Sequence, residues 1–369
     1  MLAYLLRRLM LVVPTLIGIM VINFFIIQAA PGGPVEQMLA QIQGTSVEAT
    51  ERFAGSSSGG ETVRKGTSDS SGGGSGTYRG ARGLPKDLVE RIEKMYGFDK
   101  PIVERFFLMM KNYLVFDFGE SFFRNKKVVD LVLEKMPVSI SLGLWTTLLV
   151  YFISIPLGIA KAVRDGSRFD VASSTTLIVL NAIPGFLFAL LLVVLFAGGS
   201  YFKWFPLRGL VSDDWSQLGL LDKLLDYFWH MALPIGAMVI GGFATLTFLT
   251  KNSFLEEIHK QYVLTARAKG LEERRVLYGH VFRNAMLIVI AGFPGAFIGV
   301  LFTGSLLIEV IFSLDGIGLL GFESIINRDY PVVFATLYIF GLIGLIVTLI
   351  SDLTYTWVDP RIDFESREV

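Results

Sequence analysis

Residues 262–270, Tyr-Val-Leu-Thr-Ala-Arg-Ala-Lys-Gly, set two hydroxyls, two alanines, two cations and a closing glycine on one short stretch. Val263, Ala266 and Gly270 share a face at helical spacing, and that face is small enough for another backbone to approach. Glu256 with Lys260 and Glu272 with Arg275 are spaced to pair along helical turns. Gly270 is placed to stop a helix running over 257–269, with Leu-Glu-Glu-Arg-Arg-Val starting another at an angle. No nucleophile stands beside a base here. The chemistry on offer is recognition, in which a rigid, charge-flanked knob enters a partner's groove.

Other candidates are polar groups inside apolar runs, where ionisable residues are costly and often functional. Glu309 and Asp352 are the acids of this kind, and Asn181 and Pro184 interrupt Leu-Asn-Ala-Ile-Pro-Gly-Phe-Leu-Phe. A proline at that place frees a carbonyl and predicts a kink beside a cavity. Gly316, Gly318 and Gly321 spell G-x-G-x-x-G, but that fingerprint needs a strand before it and a helix after it. Between two apolar spans these glycines read as turn residues.

Several activities are excluded by what the sequence lacks. There is no cysteine, so no thiol nucleophile and no cysteine-held metal, and the 3 histidines are scattered. No phosphate-cradling G-x-x-x-x-G-K-[ST] and no H-E-x-x-H occurs. Catalysis, a bound metal and a nucleotide held by this chain are not expected. A net charge of zero gives no basic field for nucleic acid.

The elements that must carry these residues are membrane spans. Charged residues make up 18% of the chain and hydrophobic ones 52%, against about 25% charge in a soluble domain. A helix crosses the roughly 30 Å hydrocarbon core with about 20 apolar residues. Six stretches qualify: Leu9–Ala30, Val138–Ala160, Val171–Ala197, Met231–Thr250, Ala285–Phe312 and Val332–Val358. The first is longer than a cleaved signal core of about 7–15 residues and reads as a retained span. Lys and Arg crowd the loops after the second and fourth spans, and Arg7 and Arg8 precede the first, which predicts both termini in the cytoplasm.

Four regions follow from this pattern. Residues 1–30 hold the N-terminus and first span, and 31–137 an extracytoplasmic segment. The Gly/Ser-rich stretch 55–83 in that segment lacks the apolar content to order itself. Helices are expected over 84–98 and 101–116, the second opening on Pro101 and carrying a wide aromatic face. Residues 138–358 form a five-helix core containing the loop 251–283, and 359–369 a cytoplasmic tail. An ion- or proton-coupled secondary transporter is the alternative. It predicts inverted repeats and paired ionisable residues at mid-membrane.

Thr265-Ala-Arg-Ala-Lys-Gly270 resembles the cytoplasmic EAA loop of ABC importer permeases in its oligopeptide/dipeptide form. Leu-Leu-Arg-Arg-Leu-Met-Leu-Val-Val-Pro-Thr-Leu near the N-terminus, Phe-Asp-Phe-Gly-Glu-Ser at 116–121, His-Met-Ala-Leu-Pro at 230–234 and the run 305–324 look like landmarks of the same family in the expected order, as does 352–364. Leu264 and Thr265 stand where the general pattern has Glu-Ala, and 280–283 departs from its I-x-L-P tail.

The resemblance implies an all-α polytopic membrane protein with six transmembrane helices of the type I importer fold and a long insertion after the first. It implies a permease subunit that moves oligopeptides, peptide-linked antibiotics such as microcin C among them, from periplasm to cytoplasm. Its partners would be a second homologous permease in a heterodimer, cytoplasmic ABC ATPase subunits that use ATP and Mg, a periplasmic peptide-binding protein, the peptide and membrane lipid. Tyr262, Thr265, Ala266, Arg267, Ala268, Lys269 and Gly270 would form the ATPase-coupling loop. Asn181, Pro184, Glu309 and Asp352 would line the translocation pathway. The setting would be the bacterial inner membrane.

Overall fold

The computed structural model describes residues 2–29, 100–124, 126–197, 201–303 and 306–358. The stretch 55–83, the helix expected over 84–98 and the tail 359–369 lie outside the described residues. Twelve helical segments are used below. They are α1 Leu2–Ala29, α2 Ile102–Leu114, α3 Val128–Val163, α4 Arg168–Ala182, α5 Gly185–Ala197, α6 Leu220–Ile258, α7 Gln261–Ala268, α8 Glu273–Ala285, α9 Leu287–Thr303, α10 Leu306–Ile311, α11 Ile317–Asn327 and α12 Tyr330–Val358. No strand occurs among the described residues; a single isolated bridge joins Glu120 and Lys127.

Among the described residues four helices are long and apolar enough to cross a membrane, or up to 6 if each of two bent pairs counts as one span. The third expected span is one of those bent pairs, whereas the other pair bends where the fifth expected span begins, so that α8 lies before that span. α4 and α5 meet at 87°, and α8 and α9 at 50°. At the first break Ile183 is extended, as a residue before proline must be, and Pro184 caps α5. At the second, Ser253 Oγ donates to the carbonyl of Ala285 at 2.6 Å, and a side chain bonding into the carbonyl ladder is a known cause of such kinks. The chain after α9 forms α10 separately, so the run 285–312 is not one helix.

The chain divides into two compact units. One comprises Met1–Val13, Lys135–Leu319 and Leu342–Val369. Its core includes Leu142, Ile159, Met231, Phe254, Val263, Val276, Ala285 and Val289. α3 and α6 approach closely there. A Cβ on Gly158 would stand 2.6 Å from Thr250 Cβ, the kind of contact that small residues allow where lipid supplies no drive for association.

The other unit comprises Pro14–Glu134 and Leu320–Gly341. Its interior is aromatic: Phe24 stacks on Phe334 at 5.6 Å and meets Phe106 edge-on at 5.2 Å, while Tyr113 packs on Phe118 and Tyr338. α2 matches the helix expected after Pro101, which sits at its N-cap. Asp329 ties the 120s loop by accepting from Phe122 N at 3.0 Å and from Ser121 Oγ, and Arg124 pairs with Glu323.

Candidate functional site

α6 does not stop at Thr250 but runs to Ile258 and is capped at His259. The loop helix therefore begins at Gln261, after Lys260, and not at 257. Its end is fixed by glycine geometry. Gly270 has φ +78, its N–H reaches the Arg267 carbonyl at 2.9 Å, and Leu271 N–H reaches that of Ala266 at 3.3 Å. This pair of bonds satisfies carbonyls that the last turn leaves open. A Cβ at Gly270 would meet nothing within 4 Å, so backbone handedness alone requires glycine.

The small face of α7 is turned into the chain and not toward a partner. Val263 is 0% exposed and Ala266 7%, both within the core. The outward side carries Leu264, 51% exposed, with Thr265, Ala268 and Lys269. Arg267 is engaged within the chain, its Nε 3.0 Å from Glu273 across the turn. Glu256 and Lys260 approach to 3.5 Å as their spacing predicts.

Glu257 organises the approach to α7, accepting from Tyr262 Oη at 2.6 Å and from Lys260 Nζ. The hydrogen bond to Glu257 raises the Lys260 ammonium above its ordinary range. Burial, then the bond to Glu257, raises the Tyr262 phenol. Tyr262 is thus a brace that sets the angle between α6 and α7.

A charged cluster that the sequence showed only as cations of the basic loops joins α3, α4 and α6. Lys161 is 0% exposed, with Nζ 3.0 Å from Asp170 Oδ1, 2.9 Å from the Asp170 carbonyl, and 2.8 and 2.7 Å from Ser173 and Ser174 Oγ. Lys251, on α6, bridges Asp165 at 2.8 Å and Asp170 at 2.7 Å. Ser167 Oγ accepts from Asp170 N, and Asp170 Oδ2 accepts from Gly166 N, a reciprocal cap on α4. The S-x-x-D spacing was the legible signal. Two lysines converging on one carboxylate was not.

The four intramembrane candidates do not come together. Asn181 is exposed near the end of α4, and Pro184 stands at the bend. Asp352 pairs with Arg8 of α1 at 2.9 Å. Glu309 is fully buried; Leu319 N–H donates to Oε2 at 2.6 Å, and Ser139 Oγ stands 3.4 Å from Oε1 while accepting from Ile317 N–H at 2.9 Å. Glu309 and Ser139 thus satisfy the first-turn donors of α11. A Cβ on Gly316 would lie 2.4 Å from the Glu309 carboxyl carbon. The first two glycines of the G-x-G-x-x-G run, Gly316 and Gly318, therefore make room for a buried carboxylate, with α11 starting between them, and Lys135 pairs with Asp315 beside them.

What α3, the α4–α5 bend, α6, α9 and α10 do enclose is a cavity of about 810 Å³. Gly185 and Phe186, just past Pro184, line it, as does Ile308, just before Glu309; the four candidates themselves are not among its lining residues.

The family model for the binding-protein-dependent transport system inner membrane component matches residues 154–364. The peptidoglycan transport system permease protein YejB of Agrobacterium fabrum is 62% identical over 368 residues, covering 100% of each chain. The inner membrane ABC transporter permease protein YejB of Escherichia coli O157:H7 is 58% identical over 99% of this chain and 100% of its own. The oligopeptide transport system permease protein AppB of Bacillus subtilis is 31% identical over 99% and 100%.

Proposed function

The chain belongs to the family of binding-protein-dependent transport system inner membrane components, ABC importer permeases, and from that premise we propose that it is the peptide-conducting permease subunit of an ATP-driven importer. Its cargo is oligopeptide delivered by a periplasmic binding protein, including the peptide portions of peptidoglycan fragments and peptide-linked antibiotics such as microcin C. The names of the relatives, peptidoglycan transport for one and oligopeptide transport for another, support this class. The subunit crosses the inner membrane six times, the bent pair α4–α5 serving as one span and α9 as another, with both termini in the cytoplasm and 31–137 outside. It works beside a second permease and two ATPase subunits that bind ATP and Mg.

The observation that carries the reading is the loop helix α7. It is short, rigidly stopped at Gly270, braced by Tyr262 on Glu257, and exposes Leu264, Thr265, Ala268 and Lys269. An ATPase groove that receives this outward face moves α6 and α8 together when nucleotide closes the ATPase pair. The buried face of Val263 and Ala266 transmits that motion to the core.

The test is purification of the tagged chain from the native membrane, followed by reconstitution. Expected are co-purification of a second permease and ATPase subunits, and peptide uptake that requires ATP. Uptake by this chain alone under an ion gradient would refute the assignment.

A further inference from the structure

A second cavity, of about 440 Å³, lies between the ends of α3 and α6, α7 and α8. Val163, Ile258 and Leu277 give it apolar walls, while Arg267, Arg274 and Tyr278 give it polar ones, with Glu273 beside them. Arg267 holds both oxygens of Glu273, at 3.0 and 3.2 Å, so these two charges cancel. Arg274 is exposed, and among the described residues no acid pairs with it. The lining therefore carries one uncompensated positive charge.

The level of the cavity and the face that leads into it both point to lipid. Leu149, Phe152, Pro156 and Val163 are exposed and fall at i, i+3, i+7 and i+14, on one face of α3. The first three lie within the span expected over 138–160, so an apolar track runs from the hydrocarbon to Val163, where the cavity begins. Val163 stands past Ala160 by about 4.5 Å at 1.5 Å per residue. The headgroup layer is about 5–8 Å deep on each side of the bilayer. The uncompensated cation thus sits at headgroup level, at the foot of a track that fits an acyl chain.

We propose that this cavity seats the headgroup of an anionic phospholipid of the cytoplasmic leaflet, its phosphate on Arg274 and the Tyr278 hydroxyl and an acyl chain along Phe152 and Leu149. Basic pockets between membrane helices on the cytoplasmic side suit such headgroups. One net positive charge favours phosphatidylglycerol, which carries one negative charge, over phosphatidylcholine, which carries none. With α7 forming one wall and α3 another, a seated headgroup braces the loop helix against the core. The binding site requires only that α7 face the cytoplasm; its effect on transport rests on the peptide-importer reading.

The complete importer, purified in a neutral detergent and given phosphatidylglycerol or phosphatidylcholine, is weighed intact by native mass spectrometry. Selective retention of phosphatidylglycerol is expected. Arg274→Gln lowers that retention about fivefold, the contribution of one interfacial cation, and Arg274→Lys keeps most of it. Val163→Glu, which sets a carboxylate at the apolar edge, lowers it by a similar factor. Equal retention of the two lipids, or equal retention by wild type and Arg274→Gln, overturns the proposal. So does an Arg274→Gln complex that sheds its ATPase subunits yet keeps phosphatidylglycerol, because the arginine then serves the ATPase.

Reconstituted vesicles read the consequence. Adding phosphatidylglycerol to phosphatidylcholine vesicles raises peptide uptake per ATP hydrolysed several-fold for wild type and not for Arg274→Gln. Equal wild-type uptake in both kinds of vesicle refutes the brace. Retention that depends on Arg274 in an importer that moves no peptide upholds the lipid site and refutes the peptide-importer reading instead.

Discussion

Gly270 and Gly316 are both required, for different physical reasons. At Gly270 the requirement is backbone handedness, φ +78 with open space around a Cβ. Gly270→Ala should cost about 1–2 kcal/mol of local stability and fray the end of α7, lowering peptide uptake per ATP hydrolysed. Gly270→Asn, which tolerates the left-handed region, should retain more coupling. Parallel uptake and hydrolysis assays on the reconstituted complex give this ratio. At Gly316 the requirement is space beside Glu309. Gly316→Ala and Glu309→Ala should each destabilise the protein, and the double substitution should cost less than their sum because the clash is gone. Thermal midpoints of the three purified variants give the coupling directly. The sequence announced the glycines, but a six-character pattern cannot say that one of them faces a carboxylate seven positions back.

At the scale of the element, the joint between α3, α4 and α6 is electrostatic. Asp170 holds Lys161 and Lys251 together, and α6 leads ten residues later into α7. Asp170→Asn leaves the fully buried Lys161 ammonium without its carboxylate, a change that costs about 3–5 kcal/mol when a buried pair is broken from one side. Adding Lys161→Met to it should recover part of the loss, since a neutral, well-packed pair avoids the desolvation of both ions. Denaturation in detergent compares the single and double variants. The bend at Pro184 belongs to the same scale. Proline predicted an interruption, and the extended Ile183 with Pro184 as cap carries it out, but the 87° angle is set by packing. α5 seats Ala189 fully buried in the core, and Gly185 faces the Ala237 carbonyl. Pro184→Ala should therefore keep the bend. Spin labels on cysteines placed in α4 and α5 should show the same distance with and without the substitution.

For the whole molecule, the proposed orientation depends on those basic loop residues that are not consumed by ion pairs inside the chain. Lys161 and Lys251 are held inside the chain, so they are not lipid-headgroup anchors. Arg164, Arg168, Lys260, Lys269, Arg274, Arg275 and Arg283 remain on the same side and preserve the bias. Single cysteines replacing exposed Tyr278 and Asp213 provide the measurement. In intact spheroplasts an impermeant thiol reagent should reach Asp213→Cys and not Tyr278→Cys; the reverse pattern inverts the topology and removes the ATPase-facing role of α7.

The sequence by itself determined the apolar runs, the charged loop between them, the glycine that closes it and the family, because each is written in local composition or in contiguous spacing. It also marked the break at Pro184, since proline's missing N–H acts wherever it stands. Only the tertiary structure decided which way each face turned. The small side of α7 packs inward and its outer side is exposed. Glu309 caps α11 and does not line the cavity. Helical periodicity fixes which residues share a face, but not which neighbour that face meets, whether it lies ten positions away, as Leu319 does from Glu309, or 178, as Ile317 does from Ser139.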